Sequence, residues 1–340
     1  METTFYGAID LHSNNNYAVI SDSEDRIVKR KRLPNNLEAV DQFFEKYKGD
    51  ISEIVIESTY NGYWLMDGLE EKGYGVKLAN PAKMQPYSGL KHTDDEDDAR
   101  WLNQMNRLGI LPEGYIYPKE MRPMRDLLRK RLSLVQIRTQ LINSLKHQFL
   151  SWKAMDVSKS EIQRMEAGAI DEVFEPQALR QSAHSFVELI GVLNQKIKAM
   201  ELMIHLKLKE DGMVKRLSML EGIGDMISWT IRLEVGEIGR FTDVGHYLSY
   251  CGLVDSRRMS NERKKGEGNV KNRNKYLRWA YAEAVIGALR SPRIKKYYER
   301  LKKRKHSIKA MAIVASKIAR VSFMLMKDPE FVYDPGKLFV

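Results

Sequence analysis

Apolar residues come in short runs through the first eighty positions, and their spacing alternates between that of strands and that of helices. Phe5 to Asp10, Tyr17 to Ser21 and Ile27 to Lys31 predict three strands, joined by the polar turns Ser13-Asn14-Asn15-Asn16 and Ser23-Glu24-Asp25. After the start signal Pro34-Asn35-Asn36, Leu37 to Tyr47 predicts a helix, Ile51 to Glu57 a buried strand, Tyr63 to Lys72 a helix and Val76 to Ala79 a strand. Three antiparallel-looking strands followed by alternating helices and strands form an α/β pattern.

The pattern changes after Gly109. Leu111-Pro112-Glu113-Gly114-Tyr115-Ile116-Tyr117-Pro118 is a proline-bounded connector, and a long helix is expected beyond it. Leu127, Leu134 and Leu141 recur every seven residues beside a second stripe of Leu128, Val135, Ile142 and Phe149, and a similar pattern runs from about Ser185 to Lys209. The two helices can pair as an antiparallel hairpin within one chain or as a coiled coil between chains, since heptads of this length do not fix the partner. The last third opens on Leu217 to Gly224, where a Gly-Ile-Gly turn joins two helices. It continues through Tyr250-Cys251-Gly252-Leu253-Val254-Asp255 into a basic loop, Arg257 to Lys275, and a helix from Tyr276 to about Leu289. Ile308 to Met326 is apolar but interrupted by Lys309, Lys317 and Arg320, so an amphipathic helix is expected there, not a membrane span. Three regions follow, 1–112, 113–212 and 213–340: an α/β domain, a helical region for oligomerisation and a mainly helical domain.

Charge narrows the function. The 340 residues carry 56 Lys and Arg against 45 Asp and Glu, a net charge of +11, which points to a polyanionic partner, most simply nucleic acid. The single cysteine, Cys251, excludes an intrachain disulfide and a thiolate metal site, so a reducing cytoplasm is expected. Met1 runs straight into a strand, and no signal peptide is expected.

Four carboxylates stand out on this background. Asp10 and Glu57 close apolar strands, where an acid is costly to place without a cation, and Asp95 and Asp98 lie one helical turn apart. The element order fits a sheet of the ribonuclease H type, in which a first-strand Asp and a fourth-strand Glu are neighbours. With the helix across them, the four acids would converge to hold a pair of Mg²⁺ ions, with Mn²⁺ an alternative, for phosphodiester chemistry. The nucleophile is then water or a side-chain hydroxyl. Ser260, among the cations of Arg257-Arg258-Met259-Ser260-Asn261, is the first candidate, ahead of Ser256 and Tyr276. Gly222 and Gly224, with exposed backbone N–H groups, and Arg257, Arg258, Arg263, Lys264, Lys265, Lys271, Arg273 and Lys275 are candidates for binding nucleic acid.

The chain resembles, over nearly its whole length, the DEDD-type transposases of bacterial insertion sequences, the IS one-ten family. Ala8-Ile9-Asp10, Val55-Ile56-Glu57-Ser58, His92 to Leu102, Leu111 to Pro118, Arg125-Asp126-Leu127-Leu128-Arg129, Gly222-Ile223-Gly224, Tyr250 to Val254 and Asn272 to Arg278 carry the resemblance. It implies a RuvC-like N-terminal domain whose acidic tetrad is Asp10, Glu57, Asp95 and Asp98, and a C-terminal transposase domain in which Ser260 forms a covalent link to DNA. It also implies a homo-oligomer, a dimer or tetramer, in which the acids of one subunit meet the serine of another. DNA, both donor and target, and an element-encoded guide RNA are the implied partners, in the bacterial cytoplasm at the nucleoid. Many relatives have Pro where this chain has Asp255, and Gly where it has Asn261. Two rival readings remain at this point: a RuvC-like structure-specific endonuclease using water, and a nucleic-acid-binding scaffold whose acids are structural.

Overall fold

A computed structural model describes residues 4–57, 62–84, 95–254, 257–260, 263–267 and 273–339. It divides into two compact units, residues 1–116 and 117–340.

The first unit is built on a sheet of β1 (Phe5–Leu11), β2 (Asn15–Ser21), β3 (Ile27–Pro34), β4 (Ile51–Glu57) and β5 (Val76–Ala79), in the order β3-β2-β1-β4-β5. β1 to β3 are antiparallel, whereas β4 and β5 run parallel to β1. Alternation along the strands decides the two faces. Ile9, Leu11, Ile54 and Ile56 point to one side and pack with Val40, Phe43 and Phe44 of α1 (Leu37–Phe44) and Leu65, Met66 and Leu69 of α2 (Tyr63–Glu71). Each such side chain stabilises the unit by roughly 1.5–3 kcal/mol through burial. Asn36 begins α1 by accepting a hydrogen bond from the Ala39 N–H, and the helix tightens into a 3-10 turn over Glu45–Tyr47.

The opposite face presents Ala8, Val55 and Ala79 to Leu102 of α4 (Asp95–Arg107), beyond the short α3 (Pro81–Met84). Polar contacts pin α4 to the strands: Asn103 accepts from Ser21 Oγ and donates to the Tyr6 carbonyl, both at 2.7 Å, and Tyr17 donates to Glu96 at 2.7 Å. The connector lies along β5, with Asn80 N–H on the Pro112 carbonyl and Gly114 N–H on the Leu78 carbonyl. β3 runs three residues beyond the expected Lys31, because Asn15, Asn16 and Tyr17 pair with Pro34, Leu33 and Arg32. Its charged, mostly exposed residues suit an outer strand and conceal its length in the sequence.

The second unit starts with α5 (Arg122–Lys153), followed by α6 (Lys159–Arg164), α7 (Ala167–Val173) and α8 (Gln177–Leu208). α5 and α8 pair within the chain and antiparallel: Arg131 meets Glu201, Arg138 meets Asn194 and Gln148 meets Leu179. Of the two stripes expected on α5, the one through Leu128, Ile142 and Phe149 is buried, while Leu127, Leu134 and Leu141 are only half-buried. α8 begins eight residues ahead of the expected Ser185, over a polar stretch that starts after Pro176. Helices α9 (Gly212–Leu217), α10 (Asp225–Val235), α11 (Val244–Tyr250), α12 (Lys275–Ala288), α13 (Pro292–Lys302), α14 (Ser307–Lys327) and α15 (Pro335–Leu338) complete the unit. Their core holds Tyr247 and Tyr281, whose hydroxyls bond at 2.5 Å, with Phe241, Leu277, Ile318 and Phe323. Among the described residues no helix is long and apolar enough to cross a membrane, and α14 buries one face as its pattern requires.

The basic segment expected as a loop contains a small antiparallel sheet, β6 (Arg257–Ser260) and β7 (Arg263–Glu267), pairing Arg257 with Glu267, Met259 with Lys264 and Ser260 with Arg263. Its Arg, Lys and Gly residues carry no apolar alternation by which a strand is recognised.

Candidate active site

Strand register brings the first two acids together. Ala8 pairs with Val55 and Ile9 with Ile56, so Asp10 and Glu57 come one step further along adjacent parallel strands, on the face that α4 covers. α4 adds Asp98, one turn ahead of the buried Leu102. Asp95 is the first residue of this helix; its side chain lies outside the described residues, as do residues 58–61 and 85–94.

Asp10 is 2 % exposed, and its carboxyl is raised from 3.8 to about 7. Burial is the main cause; His12 opposes it, while the charge of Glu57, a hydrogen bond with Glu57 and the charge of Asp98 push it further up. His12 Nε2 sits 3.1 Å from Asp10 Oδ2. Sequence reasoning passed over this histidine, although its place two residues after Asp10, just past the strand end, was a signal.

Among the described residues no three His, Cys, Asp or Glu side chains form a closed cage for an ion. The donors nevertheless suit a hard divalent cation: they are carboxylate oxygens, and the buried Asp10 Oδ2 meets the imidazole of His12 without a well-formed hydrogen bond. A cation would offset both the burial of the Asp10 charge and the nearby charges of Glu57 and Asp98.

The candidate nucleic-acid contacts fall in the second unit. Gly222 has φ +88°, and a Cβ there would meet the Ala284 carbonyl and lie 2.6 Å from the Ala288 amide. Its backbone packs on α12 beside Gly287, which accounts for a glycine independently of any phosphate. Gly224 has open space around it at the start of α10 and lines an open groove of about 530 Å³ with Glu221, Ile223, Arg290 and Ser291.

Ser260 closes the β6–β7 ladder opposite Arg263. Arg257, Arg258, Lys264 and Lys265 lie on the same two strands; the side chains of this hairpin lie outside the described residues, as do Ser256 and Lys271 altogether. Arg273 packs against Gly252, where a Cβ would stand 2.8 Å from its Cδ, and Lys275 is exposed with its ammonium 5.2 Å from the Tyr276 ring. One basic surface escaped the sequence reading. From Arg293 to Lys309, across α13 and the start of α14, nine residues are Lys or Arg, all exposed, against the single acid Glu299. Cation density alone would have marked it.

Residues 8–151 match a family model of the DEDD type described as a transposase, and residues 214–299 match the transposase IS116/IS110/IS902 family. The chain carries both of the IS110-family transposase domains. The two matches take in the acidic face and the serine hairpin respectively, and leave α6, α7 and α8 between them. The transposase is 24 % identical over 285 residues to a "Probable family 20 transposase" of Pseudomonas aeruginosa, covering 81 % of this chain and 83 % of the relative. It is 26 % identical over 262 residues to "Putative transposase y4qE" of Sinorhizobium fredii, covering 75 % of this chain and 64 % of the relative. It is thus an enzyme that cuts and rejoins DNA.

Proposed function

We propose that this transposase is a site-specific recombinase in which Asp10, Glu57, Asp95 and Asp98 hold divalent metal and Ser260 is the nucleophile. The observation that carries the reading is the meeting of Asp10 and Glu57 on adjacent strands with Asp98 near enough to raise the Asp10 carboxyl. A dipole argument accounts for acids at the start of α4 but not for these two. Metal held there, Mg²⁺ or Mn²⁺, would polarise the scissile phosphate and stabilise the charge that develops on its oxygens.

The serine step is balanced without an external energy source. The Ser260 hydroxyl gives up its proton as Oγ bonds to phosphorus, the phosphorus–sugar oxygen bond breaks, and the released sugar oxygen takes a proton. A second sugar hydroxyl reverses the sequence, rejoining DNA and restoring the serine. The cations of the β6–β7 segment and of the α13–α14 surface grip the phosphate backbone. An element-encoded RNA selects donor and target by pairing. Subunits assemble so that the acids of one serve the serine of another, a role for which the outward, exposed Leu189, Val192, Met203 and Leu206 of α8 are suited.

The test compares Ser260→Ala and Asp10→Asn with the parent protein on a labelled duplex spanning the end of the encoding element. Loss of cleavage and of the detergent-stable protein–DNA adduct in Ser260→Ala supports the serine; cleavage retained in that variant but lost in Asp10→Asn establishes a water-using nuclease instead. Activity retained in Asp10→Asn removes the acids from the chemistry. Sequencing the RNA that copurifies tests the guide: one defined RNA from the element supports it, and random cellular RNA counts against it.

A further inference from the structure

The segment that carries Ser260 leaves α11 after Tyr250 and rejoins the helices at Asn274, and the two ends are tied. Asn274 N–H donates to the Tyr250 carbonyl at 2.7 Å, Asn274 Nδ2 donates to the Tyr250 hydroxyl at 3.1 Å, and Arg273 packs on Gly252. Beneath them lies Glu234 of α10, whose side chain is fully buried. Glu234 accepts two parallel bonds from Arg129 of α5, Nε to Oε1 and Nη2 to Oε2, both at 2.7 Å, and a third from Asn274 Nδ2 at 2.8 Å. The Arg129 guanidinium also covers the Tyr276 ring at 4.7 Å. Asn274 spends its remaining atom as a cap, Oδ1 accepting from the N–H groups of Tyr276 and Leu277 at 2.9 and 3.0 Å.

An ion pair with a fully buried carboxylate is a poor way to gain stability, because desolvating that charge offsets much of the attraction, and packed apolar side chains would do as well. What it supplies is direction: a forked guanidinium and a carboxylate accept one mutual orientation. The side chain of Asn274 matches this place in both of its halves. Its oxygen starts α12 and its amide nitrogen locks the returning end of the segment to Glu234 and Tyr250; a bare helix cap would need the oxygen alone.

We infer that Arg129, Glu234 and Asn274 form a positioning clamp, which sets the stem of the β6–β7 segment and so the approach of Ser260 to the scissile phosphate. The inference rests on the reading of Ser260 as nucleophile. Misplacement of a reacting group by about 1 Å costs on the order of 100-fold in rate, so the clamp acts on the chemical step and leaves DNA binding alone.

The experiment uses full-length protein with its copurifying nucleic acid, Mg²⁺ and the same labelled duplex. Asn274→Ser keeps an oxygen to cap α12 but has no amide for Glu234 or Tyr250. Asn274→Asp also keeps the cap and sets a carboxylate against Glu234. Both are expected to slow adduct formation at saturating duplex by about 100-fold, with the dissociation constant for the duplex and the circular dichroism spectrum unchanged. Arg129→Lys keeps the charge without the fork and should fall between these and the parent; it decides the matter if the Asn274 variants do not fold. Parental rates in the folded variants overturn the clamp, and so does a loss explained by weaker duplex binding. Ser260→Ala separates the two ideas. If it still cleaves, the serine reading falls and the clamp with it; if it is inactive while Asn274→Ser runs at the parental rate, the clamp alone falls.

Discussion

Asp10 and Glu57 end adjacent parallel strands on one face of the sheet, and the charge of Glu57 makes it harder for Asp10 to carry its own. Two carboxylates sharing a partly desolvated site cannot both ionise cheaply unless a cation joins them. Burial is the first cause of the raised Asp10 carboxyl, and the charges of Glu57 and Asp98 add to it before any metal binds.

This relationship gives the metal-free protein a pH dependence of known sign. The folded-state carboxyl of Asp10 at about 7 lies above its ordinary 3.8, so folded chains hold the proton more tightly than unfolded ones. The contribution is fully present below about 4 and is lost as pH rises towards 7, on the order of 4 kcal/mol in all. Asp10→Asn cannot ionise, so at pH 8 without metal it should unfold at a higher temperature than the parent, and the gap should close by pH 4. Adding Mg²⁺ at pH 8 should raise the parent's midpoint and leave that of Asp10→Asn nearly unmoved. Thermal scans of both proteins across this range, with chelator or Mg²⁺, check it; parallel curves would remove Asp10 from the crowded site.

Much of the acidic face was legible because two simple periods meet there. Alternation along β1 and β4 sets Asp10 with Ala8 and Glu57 with Val55, and the helical repeat sets Asp98 with Leu102, so apolar neighbours reveal which way each acid faces. His12 carries no such pattern. Nor does the partner of α5: heptads say that a face must be covered, and only the structure shows α8 of the same chain covering it. Glu234 stands between the buried Leu233 and Val235, an unusual place for an acid. Its partners Arg129 and Asn274 come from distant elements, and nothing in local spacing connects them. The β6–β7 pairing was hidden by charge, since strands without an apolar face leave no signature.

Gly222 offers a test of packing against phosphate binding. Gly222→Ala would push a methyl group into the Ala284 carbonyl and the Ala288 amide at a φ that L residues avoid. Overpacking of this kind costs about 1–3 kcal/mol, and the positive φ adds to it. The variant should lose thermal stability or solubility. Gly224→Ala, with nothing within contact of the new methyl group, should fold like the parent and change only duplex affinity. Equal stability of the two variants, measured by denaturant unfolding, would show that the α12 contact does not decide Gly222.

The α13–α14 surface predicts a measurable salt response. If Lys302, Lys303, Arg304 and Lys305 lie against phosphates, replacing all four with Gln removes up to four released counterions. The slope of log affinity against log salt should become shallower by about 0.9 for each contact on duplex DNA and about 0.7 on single strands. All four are exposed, so folding should be untouched. Titrations of the variant at several salt concentrations, with duplex DNA and with the copurifying RNA, show which polyanion the surface serves. Parental slopes on both would make it a solvated face.

The outward side of α8 predicts how the subunits assemble. Leu189, Val192, Met203 and Leu206 are exposed on a helix whose opposite stripe, Val187, Ile190, Ile197 and Ile204, is buried inside the chain. Residues 189, 192, 203 and 206 keep the three-and-four spacing of a coiled-coil seam, with Lys196 and Ala199 filling the two positions between them. Replacing Val192 and Leu206 together with Glu places charge on that seam without touching the intrachain core. The doubly substituted protein should fold at the parental temperature and sediment as a smaller species. Sedimentation velocity reads the outcome, and an unchanged profile with unchanged stability would assign assembly to another surface of the transposase.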